Sequence, residues 1–143
     1  MGIAIKQSKL TEEIKQRIFD GFAEHSIAKT GINGFGDIIC LEAHDEATGE
    51  FMGVVAVMMF WGQLHIKYLF VEERFRGKGV GKYLMDKAFK YAKEHNCTFA
   101  FLETMSFQAL KFYEDMGFEL QLTRSGYAKG VSFHYMQKDL TVE

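Results

Sequence analysis

The 143-residue chain has no proline, two cysteines and one tryptophan. Without proline no turn is set by a locked φ, so every reversal rests on Gly, Asn, Asp or Ser. Two cysteines cannot build a disulfide framework. Cys40 and Cys97 each lie in or beside an apolar run, and both are expected as buried free thiols. No histidines stand at metal-ligand spacing, and no metal is expected. Neither sign of charge dominates: 17 Lys and Arg stand against 19 Asp and Glu, a formal net charge of −2. No field is available to draw the protein onto nucleic acid or an anionic membrane. No apolar run reaches membrane-spanning length and no leader pattern precedes the first apolar segment. A cytoplasmic protein with neither nucleic acid nor membrane as partner is expected.

What is present is a core-forming composition, 48% hydrophobic and 25% charged, at a length that suits one domain over 1–143. Ile3 to Gln7 alternates and predicts a short strand. Thr11 offers an N-cap, Glu12 and Glu13 suit a first turn, and Ile14, Ile18 and Phe22 fall one turn apart, which predicts a helix over 11–24. The glycines and asparagine of 25–36 read as a loop. Strands follow over 37–43, 51–61 and 64–72, with Asp45-Glu46-Ala47-Thr48-Gly49 as a hairpin loop. The second strand is almost wholly apolar, which implies burial on both faces.

Val80, Leu84, Met85, Ala88, Tyr91 and Ala92 mark one face of a helix over 81–95. A strand over 98–103 follows that crossover and is expected to run parallel to the 64–72 strand. A helix over 107–116, closed by Gly117 as a left-handed cap, precedes strands over 118–123 and 131–140. The order β-α-β-β-β-α-β-α-β-β predicts an α/β fold, a mixed central sheet of about seven strands with helices on both faces.

The chemistry centres on Arg76-Gly77-Lys78-Gly79-Val80-Gly81, a glycine turn between a strand and a helix. Such a turn brings backbone N–H groups and a helix N-terminus to bear on a phosphate. It is not a P-loop: Arg76 stands where the first Gly is required, and Tyr83 where the magnesium-binding hydroxyl is required. It is a poor dinucleotide fingerprint too, because Lys82 holds the last glycine position. The turn matches Arg/Gln-x-x-Gly-x-Gly/Ala. Downstream, Ala109-Leu110-Lys111-Phe112-Tyr113-Glu114-Asp115-Met116-Gly117-Phe118 matches Ala-x-x-Phe-Tyr-x-x-x-Gly-Phe.

Together these resemble the GCN5-related N-acetyltransferases (GNAT family), small single-domain members in particular, and the element order agrees along nearly the whole chain. The resemblance implies acetyl coenzyme A as co-substrate and a small-molecule or peptide amine as acceptor. It implies that backbone groups of Leu69, Phe70 and Val71 pair with the pantetheine arm, one of the last two donating to the carbonyl oxygen. It implies that N–H groups from Gly77 through Lys78, Gly79 and Val80 to Gly81 hold the pyrophosphate. Arg76 and Lys78 would add charge and Arg74 would reach the ribose phosphate, although solvated surface charge accounts equally for Arg74 and Lys78.

By the same resemblance Tyr113 is the general acid and Phe112 packs beside the cofactor. Ser106 stands near the place where many members carry an Asn that contacts pantetheine. The general base is open. Many members place an acidic residue on the strand before the turn, where this chain has His65 and Lys67. Glu103 ends the next strand and is the candidate taken here, with His65, His134 and a water chain as alternatives. A coenzyme A-binding sensor on the same fold is the alternative to an enzyme. Monomer and homodimer are both compatible with the sequence.

Overall fold

β-Branched and aromatic residues fill the stretches that become strands. The computed structural model describes residues 1–107 and 110–142. Among them one six-stranded mixed sheet forms from β1 (Phe35–His44), β2 (Phe51–Phe60), β3 (Gln63–Val71), β4 (Phe99–Met105), β5 (Glu119–Arg124) and β6 (Phe133–Asp139). The spatial order is β1-β2-β3-β4-β6-β5. β2 and β3 pair antiparallel, as do β4 with β6 and β5 with β6, whereas β3 and β4 are parallel. The helices are α1 (Glu12–Thr30), α2 (Val80–Glu94) and α3 (Leu110–Asp115). The chain falls into two compact units, Met1–Phe35 and Gly36–Glu143.

In the first unit the predicted strand over Ile3–Gln7 does not form, which accounts for six strands rather than about seven. Two apolar side chains bury too little to hold a strand without a paired neighbour; Ile3 and Ile5 are 77% and 91% exposed. The Thr11 hydroxyl accepts the Ile14 N–H at 3.2 Å and starts α1 as expected. The helix runs on to Thr30 rather than ending near 24, because no glycine interrupts 22–30. It stops at Gly31, whose φ of +87° suits glycine alone and whose N–H donates to the Ile27 carbonyl. Phe22 and Phe35 stack at 5.8 Å within this unit.

In the second unit α2 buries Val80, Leu84, Met85, Ala88 and Ala92 against Val55, Val57, Leu64, Ala100, Leu102 and Met136. Fully burying a side chain such as Leu84 contributes about 1.5–3 kcal/mol. Leu110, Phe112, Tyr113 and Met116 pack on the same core. α3 is shorter than the predicted 107–116, and Gly117 closes it at φ +95°. Gln108 and Ala109, the latter opening the Phe-Tyr motif, lie outside the described residues. Lys138 Nζ donates to the Met116 carbonyl at 2.7 Å and sits 4.8 Å above the Phe89 ring, so a cation meets the carbonyl end of α3. Cys97 is buried, but Cys40 is exposed. Side chains alternate along a strand, and on β1 it is Leu41 and Ala43 that reach the core, which sends Cys40 to the other face.

Candidate active site

The parallel ladder between β3 and β4 holds only at Leu64↔Ala100 and His65↔Phe101 among the described residues. Immediately after, β3 departs from regular pairing with β2: Val57 meets Ile66 and Ala56 meets Tyr68, so Lys67 is the extra residue of a bulge. A bulge bends its strand and increases its twist. β3 and β4 therefore part like a fork. From Ile66 to Val71, the backbone groups not turned toward β2 face the opening, because successive residues of an antiparallel strand point their N–H groups to alternate sides.

A cavity of about 900 Å³ fills the fork, within the usual size for small-molecule sites. β3 lines it with Ile66, Lys67, Tyr68, Leu69, Phe70 and Val71, and β4 with Leu102, Glu103 and Thr104. Arg76, Gly77 and Gly81 come from the turn and the start of α2, and Phe112 and Tyr113 from α3. Eight residues singled out from the sequence thus share one cavity with Glu103: Leu69, Phe70, Val71, Arg76, Gly77, Gly81, Phe112 and Tyr113.

The turn takes its shape from its glycines. Gly77 and Gly79 have φ of +75° and +84°, and a Cβ added at either would meet only open space. Gly77 lines the cavity and Gly79 does not; the backbone of both lies in the open with no side chain in the way. Arg76 closes the turn onto the strand, its Nε donating to the Val71 carbonyl at 3.0 Å. Val80 differs from its neighbours, since its side chain is buried in the core and only its backbone belongs to the turn. Lys78 does not line the cavity and holds its ammonium 5.9 Å over the Phe75 ring. Arg74 pairs with Glu50 and covers the same ring.

Gly81 lies against α3, where a Cβ would meet the Phe112 ring at 3.4 Å, an ordinary van der Waals contact. Phe112 and Tyr113 meet edge to face at 5.3 Å, and Tyr113 meets Phe118 likewise at 5.9 Å. Burial pushes the Tyr113 phenol above its ordinary value of 10, so it keeps its proton at neutral pH. Ser106 is turned elsewhere: its hydroxyl accepts the Ser132 N–H at 2.9 Å, and it does not line the cavity.

The three candidate bases separate. His65 Nε2 lies 2.6 Å from Glu103 Oε2, and Glu103 alone of these lines the cavity. Burial and then the Glu103 charge raise the phenol of Tyr135, directly opposite Glu103 on β6. His134 is buried, with Nδ1 2.9 Å from the Thr123 hydroxyl, and is not part of the lining.

Sequence reading passed over Gly53 and Lys138 and gave Lys67 no role. A Cβ at Gly53 would come 2.6 Å from the Phe70 carbonyl oxygen, so glycine is what lets β2 lie against the cavity strand. A lone glycine in an apolar strand is the available signal for such an approach. No helix among the described residues is long and apolar enough to cross a membrane.

This arrangement suits an extended, phosphate-bearing ligand: an unpaired edge of β3 and a protonated phenol in one opening, with an open glycine turn at its end. The profile of the "Acetyltransferase (GNAT) family" matches residues 12–118 and so spans both units. Blasticidin-S acetyltransferase of Streptomyces morookaense is 33% identical over 93 residues, which are 64% of this chain and 68% of that protein. A crystal structure of an acetyltransferase from Bacillus cereus superposes with a TM-score of 0.77 at 26% identity, covering 94% of this chain and 97% of that one. An acetyltransferase from Bacillus anthracis solved with acetyl coenzyme A superposes with a TM-score of 0.64 at 26% identity, covering 72% of this chain and 62% of that one. The co-substrate is acetyl coenzyme A, the reaction is acetyl transfer, and the chain belongs to the GNAT family of acetyltransferases.

Proposed function

We propose that the chain transfers the acetyl group to a primary amine by direct attack, with Glu103 as base and Tyr113 as acid. The observation that carries this reading is that one cavity between the parted strands is lined by Glu103 from β4 and Tyr113 from α3. Acetyl coenzyme A, when bound, supplies an acyl group activated as a thioester.

Each residue then has a distinct task. Glu103 takes a proton from the acceptor ammonium, which leaves a neutral amine with a lone pair free to form the new C–N bond. A backbone N–H of Phe70 or Val71 donates to the carbonyl oxygen as negative charge builds there; one such donor is worth about 3 kcal/mol. Tyr113 gives its phenolic proton to the sulfur as the C–S bond breaks; the second proton that the nitrogen must lose to become an amide passes to solvent, and Tyr113 regains one from solvent. A phenol that burial has raised gives up this proton uphill to a thiolate of lower basicity, so the transfer is driven by the breaking C–S bond. The N–H groups of the turn around Gly77 and Gly79 hold the pyrophosphate, with the N-terminus of α2 behind them.

The Glu103 carboxylate favours a cationic acceptor. A small amine, a peptide amino terminus and, by similarity to blasticidin-S acetyltransferase, an antibiotic are the classes to test. We place the protein in the cytoplasm as one domain over 1–143, a monomer or homodimer. The test is coenzyme A thiol release from acetyl coenzyme A with n-butylamine, 1,4-diaminobutane, tyramine, alanine amide and blasticidin S. Amine-dependent release with formation of the acetylated amine is expected. Binding of acetyl coenzyme A without release for any of them would contradict the reading and favour a sensor.

A further inference from the structure

The geometry points to His65 as a positioning residue that orients the Glu103 carboxylate toward the acceptor amine and does not itself accept the proton. This rests on the reading of Glu103 as base. His65 stands on β3 and Glu103 on β4, and His65 belongs to the last described pair of the parallel ladder, His65↔Phe101. Their 2.6 Å hydrogen bond therefore spans the fork at the point where the strands part.

The imidazole is held before it acts. It stacks on Phe101 with centroids 4.4 Å apart and planes 13° from parallel, and its side chain is only 13% exposed, against 37% for Glu103. His65 is absent from the cavity lining, so it reaches an acceptor only through Glu103.

An ionised carboxylate accepts and never donates, so Nε2 carries the proton in this contact. His65 Nε2–H donates to Oε2, which leaves Oε1 for the acceptor ammonium. During turnover the ammonium proton moves to Oε1, the neutral amine attacks, and the proton leaves Glu103 for solvent. The Nε2 proton stays where it is. The contact lowers the rotational freedom that a Glu side chain 37% exposed on β4 would otherwise have.

The experiment is a double-mutant cycle on the whole chain, with His65→Leu, His65→Gln, Glu103→Gln and the His65→Leu/Glu103→Gln pair. Amine kcat/KM is read at saturating acetyl coenzyme A with whichever of the five amines above the wild type turns over fastest. Acetyl coenzyme A affinity is read by calorimetry. Loss of a hydrogen bond to a charged group predicts that His65→Leu lowers kcat/KM about tenfold to a hundredfold, with acetyl coenzyme A affinity unchanged. His65→Gln, whose amide N–H can still donate, restores most of the loss. The double variant is no slower than Glu103→Gln, because His65 acts through Glu103.

Additive losses, or no recovery with Gln, would overturn the positioning role while leaving Glu103 as base. Should His65→Leu not fold, His65→Ala takes its place in the cycle, and the positioning role again predicts a double variant no slower than Glu103→Gln alone. Wild-type kcat/KM in Glu103→Gln, or no release with any amine, would instead overturn the reading of Glu103 and this inference with it.

Discussion

His65 Nε2 and Glu103 Oε2 lie 2.6 Å apart although 38 positions separate them in sequence. Read from sequence, the two are rival bases; in the structure they are one unit with a single exit into the cavity, through Glu103. Glu103→Gln keeps the shape and removes the basicity. It should lower amine turnover by about 10²–10⁴-fold and leave acetyl coenzyme A affinity unchanged, measured by steady-state kinetics beside calorimetry. A parallel loss of affinity would move Glu103 out of acceptor chemistry and into cofactor binding.

Gly53 gives a prediction on the fold side of the site. A methyl group there would press on the Phe70 carbonyl oxygen at 2.6 Å, and backbone on both sides cannot yield cheaply. Gly53→Ala should cost about 1–3 kcal/mol in urea unfolding and weaken acetyl coenzyme A binding through displacement of β3. Gly21→Ala is the contrast: it lies within α1 with nothing near an added Cβ. It should stabilise by about 0.5–1 kcal/mol. Equal effects of the two would show that the crowding at Gly53 is relieved elsewhere.

Gly79→Val tests the cradle. The position needs φ of +84°, which a β-branched residue resists, and the added side chain would occupy the space assigned to pyrophosphate. Acetyl coenzyme A affinity should fall steeply. Lys78→Ala should change it little, since Lys78 lies over Phe75 and away from the cavity. Calorimetry on the two variants checks this, and unchanged affinity in Gly79→Val would remove the pyrophosphate from the turn.

The Tyr113 phenol gives a pH dependence with a definite sign. Burial raises its proton affinity in the folded chain above the unfolded value near 10. Between those two values the folded state binds more protons than the unfolded one, so stability falls as pH rises. The contribution is complete below the unfolded value and is lost as pH climbs through the folded one. Urea midpoints of wild type and Tyr113→Phe, compared at about pH 8 and about pH 11, should show the smaller alkaline loss in the variant. Tyr135 and Cys97, raised in the same direction, remain in both proteins and cancel in the comparison.

Local chemistry made much of this legible. The turn could be read because two of its glycines answer to a backbone need, a positive φ at Gly77 and at Gly79. The strand-turn-helix around it follows from apolar periodicity. What could not be read depends on register. The bulge at Lys67 has no residue signature, yet it opens the fork. The pairing of His65 with Glu103 follows from His65↔Phe101 in a parallel ladder, a long-range fact that neither segment encodes alone. Ser106 matches a family position by spacing, but the Ser132 backbone claims its hydroxyl. α1 outran its predicted end because the glycines of 31–36 drew the boundary too early.

The most direct test of the account is Tyr113→Phe, with turnover and acetyl coenzyme A affinity measured on the same preparation. The variant removes one oxygen from a ring whose packing against Phe112 and Phe118 is otherwise kept. Affinity equal to wild type with turnover reduced about 10²-fold or more is the predicted result. Equal turnover in the two proteins would contradict it.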